Sequence, residues 1–125
     1  MRLLLDTHIV LWQLSGERPL SDTATEAVSR ADDLLFSSVS FAEIGVKVAA
    51  GKLVVPAGLT EQVEASGLRV LNLSAAHGLA VSDLPLHHRD PFDRLLIAQA
   101  LTEDLAVVTA DRRFAEYAIE VVYAA

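Results

Sequence analysis

Several acidic residues in this sequence lie at the ends of predicted strands or at the starts of predicted helices. These positions come together in a fold of alternating strands and helices. Asp6 ends the first apolar strand, Asp111 follows a later one, Asp90 and Asp93 open a long apolar helix, and Glu43 lies on a helix face. In a parallel sheet flanked by helices, strand ends and helix starts meet at one edge. Carboxylates gathered there repel one another unless they are protonated or neutralised by cations.

The ligand types at this edge select the kind of cation. Oxygen donors favour Mg²⁺ or Mn²⁺ over zinc or copper, and the sequence has no cysteine. The adjacent His87 and His88 stand beside Asp90, but no third ligand follows at a zinc-like spacing, so a transition-metal site is the minor alternative. A hard cation completed by water and a substrate phosphate predicts metal-assisted phosphodiester hydrolysis. Neither a dinucleotide fingerprint nor a P-loop is present to cradle a nucleotide.

Capping is a simpler explanation for three of these acids, and the sequence alone leaves it open. Asp6 can cap the helix that follows it. Asp90, with a proline directly after it and Asp93 three places on, makes a good helix start, in which the second acid faces the positive end of the helix dipole.

Glu43 falls on a helix predicted from Val39 to about Ala50. At helical spacing it shares a face with Val39, Val46 and Ala50, so we expect a carboxylate on an otherwise apolar face. The simpler explanation is an ion pair with Lys47 one turn later, worth about 0.3 to 0.5 kcal/mol on a helix surface. The two roles are compatible.

Apolar runs and turn signals alternate so as to predict a largely parallel sheet between helices. The predicted strands are 2–5, 34–36, 69–73, 105–108 and, at an edge of the sheet, 121–122. The predicted helices are 7–14, 22–31, 39–50, 59–66, 75–81, 91–103 and 112–117. The first helix is apolar nearly all round, which suits contact with a partner.

Composition bounds the number of domains and the compartment. The chain has 125 residues, of which 52% are hydrophobic, enough for a single domain spanning 1–125. It lacks cysteine, an N-terminal signal pattern and any apolar run of about 18 residues, so we expect a cytoplasmic protein outside the membrane. The net charge of −7 argues against a broad basic surface. Four arginines nevertheless stand next to the acids and suggest a local basic rim: Arg89, Arg94, Arg112 and Arg113.

Four segments carry a family pattern: residues 3–8, residues 37–44 with Lys47 and 51–53, residues 88–100, and residues 109–111. Together, and in order from Met1 to about Phe114, they resemble the PIN-domain ribonucleases and, more narrowly, the VapC toxins of type II toxin-antitoxin systems. Each segment alone is a weak signal, and the four together are specific.

This resemblance implies a PIN-like three-layer α/β/α fold with a central, mostly parallel sheet of four to five short strands. It implies that the catalytic residues and metal ligands are Asp6, Glu43, Asp93 and Asp111, with Thr109 in support and Asp90 chiefly a helix cap. It further implies Mg²⁺-dependent (or Mn²⁺-dependent) endonucleolytic cleavage of RNA, a homodimer, and inhibition by a VapB-type antitoxin. The candidates for contacts with RNA phosphates are Arg89, Arg94, Arg112 and Arg113.

The competing hypothesis is a non-catalytic PIN-like protein-interaction module. In that case the apolar first helix binds a partner, and the acids serve only folding and capping. Divalent-cation binding and RNA cleavage distinguish the two hypotheses.

Overall fold

Five short parallel strands form the centre of the structure, a computed structural model that describes residues 1–125. In chain order they are β1 (Arg2–Leu5), β2 (Asp33–Ser37), β3 (Arg69–Leu71), β4 (Ala106–Thr109) and β5 (Val121–Tyr123). Their spatial order is β3-β2-β1-β4-β5, and every neighbouring pair is parallel. The first strand therefore lies in the middle of the sheet, and the last lies at an edge, as predicted.

Helices cover both faces of this sheet. They are α1 (Thr7–Ser15), α2 (Asp22–Arg30), α3 (Ser38–Ala49), α4 (Leu59–Ala65), α5 (Ala75–Ala80) and α6 (Pro91–Glu103), with short 3-10 helices at Val81–Asp83 and Arg112–Glu116. The predicted three-layer α/β/α fold with a parallel sheet is confirmed. None of the helices is both long enough and apolar enough to cross a membrane.

The central strand β1 is buried on both faces. Leu3 and Leu5 belong to the core on one side of the sheet, together with Ile9 of α1. Leu4 belongs to the core on the other side, together with Leu96 of α6. Because side chains alternate across a strand, a strand covered on both faces needs apolar residues throughout. After the exposed Arg2 at the start of β1, the next polar side chain is Asp6, directly after the strand at the carboxyl edge of the sheet.

The segment after β4 differs from the prediction, because its helix is of the 3-10 type. The amide of Phe114 bonds to the carbonyl of Asp111 at 3.3 Å, and that of Tyr117 to the carbonyl of Phe114 at 3.2 Å. Side chains three residues apart align in a 3-10 helix. Both aromatic residues are buried here, so core packing accounts for the tighter winding.

Candidate active site

Asp6 lies at the carboxyl end of β1. Its amide donates to the carbonyl of Val108 at 2.9 Å, and its Oδ2 accepts a hydrogen bond from the Thr109 hydroxyl at 2.8 Å. The residue occupies the cap position of α1, but its side chain makes no capping hydrogen bond. Its Oδ1 is buried with no partner. Capping therefore does not explain this acid.

Thr109, the last residue of β4, connects two of the acids. Its hydroxyl donates to Asp6 and accepts a hydrogen bond from the Asp111 amide at 3.0 Å. The Asp111 carboxylate in turn accepts hydrogen bonds from the Arg113 amide at 3.0 Å and from its guanidinium at 3.2 Å. The threonine thus fixes the ends of β1 and β4 relative to each other.

The start of α6 separates the roles of its two acids. Asp90 Oδ1 accepts hydrogen bonds from the amides of Phe92 at 2.8 Å and Asp93 at 3.4 Å, with Pro91 at the first helical turn. The Asp93 carboxylate takes no part in capping, and its Oδ2 lies 2.9 Å from Nε2 of His88. Capping accounts for Asp90 and leaves Asp93 available.

Glu43 is only 2% exposed. Its Oε2 lies 2.6 Å from the Lys47 ammonium, so the predicted pair is present. Its Oε1 is buried with no hydrogen-bond partner. The predicted apolar face was wrong in part: Val39 is buried, but Val46 in the second half of α3 and Ala50 just after the helix are exposed.

A cleft of about 470 Å³ opens at this edge of the sheet. Its polar lining is Asp6, His8, His88, Asp90, Asp93, Asp111 and Arg113. Three acids of the predicted quartet therefore face one space. Glu43 does not line this cleft, but its negative charge raises the pKa of both Asp6 and Asp93.

The acids of the cleft have unequal electrostatic surroundings. Burial, followed by the charges of neighbouring carboxylates, Asp6 foremost, raises the pKa of Asp93 to about 8. Burial also raises the pKa of Asp6, against the opposing hydrogen bond from Thr109. Burial is the largest single influence on Asp111 as well, but its hydrogen bonds, chiefly from Arg113, outweigh burial and hold the pKa of Asp111 below its ordinary value.

This arrangement fits a divalent cation. Buried polar atoms without a partner are rare and costly in folded proteins, and Asp6 Oδ1 and Glu43 Oε1 are two such atoms. A raised pKa, as at Asp93, is what clustered carboxylates show when no cation neutralises them. The donors are carboxylate oxygens, which hard cations prefer.

His88 is the site residue that the sequence analysis undervalued. It is 3% exposed, and its Nε2 lies 2.9 Å from Oδ2 of both Asp93 and Asp111. His87 instead packs against the ring of Tyr117, with centroids 5.2 Å apart. The available signal was the position of His88 two residues before the cap of α6, next to the acids of that helix start.

The four candidate arginines have different surroundings. The guanidinium of Arg94 donates to the Tyr117 hydroxyl and to the carbonyls of Val81, Leu84, Pro85 and His88, and so holds the loop before α6. The guanidinium of Arg112 lies 4.2 Å from the ring centroid of Tyr123. Arg113 pairs with Asp111, and Arg89 is exposed.

Known proteins share this fold and sequence pattern. The PIN domain model matches residues 3–120. In sequence the chain is similar to Ribonuclease VapC22 of Mycobacterium tuberculosis, with 29% identity over 113 residues that cover 88% of this chain and 87% of that protein. In structure it is similar to VapBC2 from Rickettsia felis bound to a promoter DNA fragment, with 17% identity, a TM-score of 0.68 and 98% of each chain covered. It is also similar to DNA-bound VapBC from Salmonella typhimurium, with 20% identity, a TM-score of 0.69 and 100% and 99% of the two chains covered.

The fold and the site together define a class: three-layer α/β/α domains with an acidic cluster, suited to a divalent cation, at the carboxyl edge of a parallel sheet. Because the family model matches nearly the whole sequence, the chain belongs to the PIN-domain family.

Proposed function

We propose that this protein is a metal-dependent endoribonuclease that acts as the toxin of a type II toxin-antitoxin pair. The observation that carries the proposal is the pair of buried carboxylate oxygens, Asp6 Oδ1 and Glu43 Oε1, that have no partner within the chain. Leaving a buried polar atom unpaired costs about 1–3 kcal/mol, and more for a charged group. A cation bound beside these carboxylates offsets that cost.

The proposed catalytic residues and metal ligands are Asp6, Glu43, Asp93 and Asp111, and the proposed cation is Mg²⁺, or Mn²⁺ in its place. When bound, such an ion orients and activates water and offsets charge on the scissile phosphate. Thr109 holds Asp6 by a hydrogen bond. Asp90 is used in capping, so we assign it to the support of the site.

RNA is the proposed substrate, supported by the ribonuclease name of the similar mycobacterial protein and by positive charge beside the cleft. Arg113 lines the cleft, and Arg89 and Arg112 are exposed near the acids in sequence. We assign these three arginines to RNA phosphates, since phosphate contacts position a nucleic acid without reading its bases. Arg94 was a fourth candidate, but its guanidinium is engaged by the loop before α6.

The histidines of this site favour hydrolysis by water over attack by the RNA 2′-hydroxyl. Internal attack needs a general base and a general acid within reach of the phosphate. His77 is buried and used in capping α5, and His88 is enclosed between Asp93 and Asp111. The cleft also contains His8, but with His88 enclosed His8 alone is left, whereas that route needs two groups.

A second surface supports a protein partner. Leu11 and Leu14 of α1, with Val54, Val55 and Leu59, line a cavity of about 150 Å³, and Val54 is 95% exposed. Exposed apolar surface of this kind commonly marks a protein contact. We infer a VapB-type antitoxin as the partner, and a homodimer of single-domain chains (1–125) working in the cytoplasm.

Brief expression of the wild type beside Asp6→Asn, followed by sequencing of cellular RNA ends, tests the proposal. New ends at defined sites are expected with the wild type only. The purified protein should cut the same RNA with Mg²⁺ and not with EDTA. If both forms give identical RNA ends and no cation binds, the non-catalytic interaction module is the correct reading.

A further inference from the structure

The His88 ring is held so that one nitrogen must carry its proton. The Asp90 amide donates a hydrogen bond to Nδ1 of His88 at 3.2 Å, so Nδ1 is an acceptor without a hydrogen. In a neutral imidazole the proton then resides on Nε2, because the hydrogen bond at one ring nitrogen sets the state of the other. In a doubly protonated ring, the Nδ1–H would face the Asp90 backbone N–H, so two donors would meet and no hydrogen bond would form.

Nε2 faces two carboxylates. It hydrogen bonds with Oδ2 of Asp111 at 2.9 Å, and Oδ2 of Asp93 lies 2.9 Å away. Turning the ring over would put carbon atoms against the Asp90 amide and against both acids, so only the observed orientation satisfies all three groups. Edge-on packing against Phe114, with centroids 5.9 Å apart, holds the ring in place.

We propose that His88 is a positioning residue: its Nε2–H holds the Asp111 carboxylate in place for the cation, beside the Asp93 carboxylate 2.9 Å away, and the ring is not itself a metal ligand. The proposal rests on the proposed function, which makes these two carboxylates ligands. A ring nitrogen that carries a proton has no lone pair to offer a metal. Hydrogen-bond partners that orient metal ligands contribute roughly ten- to hundredfold to metal affinity or activity.

The position of His88 in the chain fits this role. Asp90 caps α6 with its side chain, and its own backbone N–H precedes the helix, so it has no helical carbonyl to bond. His88 Nδ1 satisfies that amide from two residues earlier. One short segment thus caps α6 and leaves the Nε2–H of His88 facing the acids.

Nitrogen-15 NMR of the imidazole groups tests this directly, and a chain of 13.4 kDa suits the method. The His88 signals are identified by their loss in His88→Gln. The expected result is a protonated Nε2 and an unprotonated Nδ1, both in the metal-free protein and with saturating Mg²⁺. A proton on Nδ1 in the metal-free protein, or loss of the Nε2 proton when Mg²⁺ binds, would overturn the proposal.

Two substitutions separate donation from packing. His88→Gln keeps an N–H donor at a similar reach, His88→Leu keeps the bulk without the donor, and His87→Gln is the matched control. By calorimetry, the Kd for Mg²⁺ should rise roughly tenfold or more in His88→Leu and stay near the wild-type value in the other two. An unchanged Kd in a folded His88→Leu would contradict the positioning role.

If His88→Leu does not fold, the nitrogen-15 spectra of the wild type decide whether Nε2 carries the proton. If the wild type binds no Mg²⁺, the proposed function fails, whereas the metal-free spectrum still decides the state of His88.

Discussion

Acidic residues at the two ends of the central sheet have opposite surroundings. At the amino end, Asp32 bonds to the ammonium of Met1, and Asp33, at the start of β2, pairs with Arg69 and lies 3.9 Å from Arg2. Hydrogen bonds to these cations, above all, hold the pKa values of Asp32 and Asp33 below their ordinary value. Both of these acids therefore have a cationic partner within the chain.

At the carboxyl end the acids outnumber the cations. Lys47 pairs with Glu43, and Arg113 pairs with Asp111. Asp93 has no cationic side chain of this kind, and burial followed by like charge raises its pKa to about 8. The comparison shows that burial and partners, rather than residue type, distinguish acids of the scaffold from acids available to a ligand.

The largest expected difference between the two ends is in catalysis. Asp93→Asn should slow Mg²⁺-dependent RNA cleavage roughly a thousandfold or more, because a metal site contributes several kcal/mol and each 1.36 kcal/mol is a factor of ten. Asp33→Asn, the same change at the other end, should leave the rate unchanged. Single-turnover cleavage of one RNA by both variants measures this. Equal rates would contradict the proposed difference in function between the two ends of the sheet.

The next effect is on thermal stability. A ligand bound only by the folded state stabilises it by about 2.7 kcal/mol at a hundred times its Kd. Mg²⁺ should therefore raise the Tm of the wild type and of Asp33→Asn. Above pH 8, where the Asp93 carboxylate is ionised in the metal-free protein, the metal-free Tm of Asp93→Asn should be higher than that of the wild type, since one repelling charge is gone, and the Mg²⁺ increment should be smaller. Identical melting curves in EDTA and in millimolar Mg²⁺ would argue against a cation site.

A smaller effect is the pH dependence of metal-free stability. The pKa of Asp93 is raised in the folded state to about 8, so between pH 4 and pH 8 the folded state binds more protons than the unfolded state. Stability in EDTA should therefore fall as pH rises through this window. Asp32 and Asp33 have lowered pKa values in the folded state, so above about pH 5 they are ionised in both states and add almost no slope. Denaturant unfolding at pH 5 and pH 8 measures the slope, which should flatten in Asp93→Asn; a rise in stability with pH would contradict the charge assignment.

The smallest effect is expected at Asp90. Asn caps a helix nearly as well as Asp, so Asp90→Asn should keep substantial cleavage activity. Asp90→Ala should lower the free energy of unfolding by about 1 kcal/mol through the lost cap. Cleavage assays and denaturant unfolding check the two variants, and an Asp90→Asn protein as inactive as Asp93→Asn would move Asp90 into the catalytic group.

The strands and the start of α6 followed from local physics. The run at 3–5 is apolar because β1 is covered on both faces. The Asp-Pro start of α6 signals its own cap. The exposed half of α3 did not follow, because helical periodicity predicts a shared face and not how far a neighbouring element extends. The 3-10 winding after β4 depends on two aromatic residues finding the same core, which is a tertiary effect.

For the site, the positions of Asp6, Asp93 and Asp111 could be predicted from strand ends and a helix start. His88 was considered only as part of a transition-metal alternative, because its partners are an amide two residues later and two carboxylates brought in by other elements. The engagement of Arg94 was missed for a similar reason, since its partners are carbonyls of a loop without a sequence signature. Residue spacing in the sequence predicts which groups lie at the ends of strands and helices. Long-range side-chain contacts can be identified only from the structure.

The chemistry of the cut ends tests the central claim most directly, namely that the acidic cluster serves a divalent cation in hydrolysing RNA. One defined RNA is cleaved by the purified protein in Mg²⁺ and in EDTA, and the product ends are determined by mass spectrometry. Water attack guided by the cation gives 5′-phosphate and 3′-hydroxyl ends in Mg²⁺ and no cleavage in EDTA. A 2′,3′-cyclic phosphate with a 5′-hydroxyl, formed in EDTA, would contradict the account.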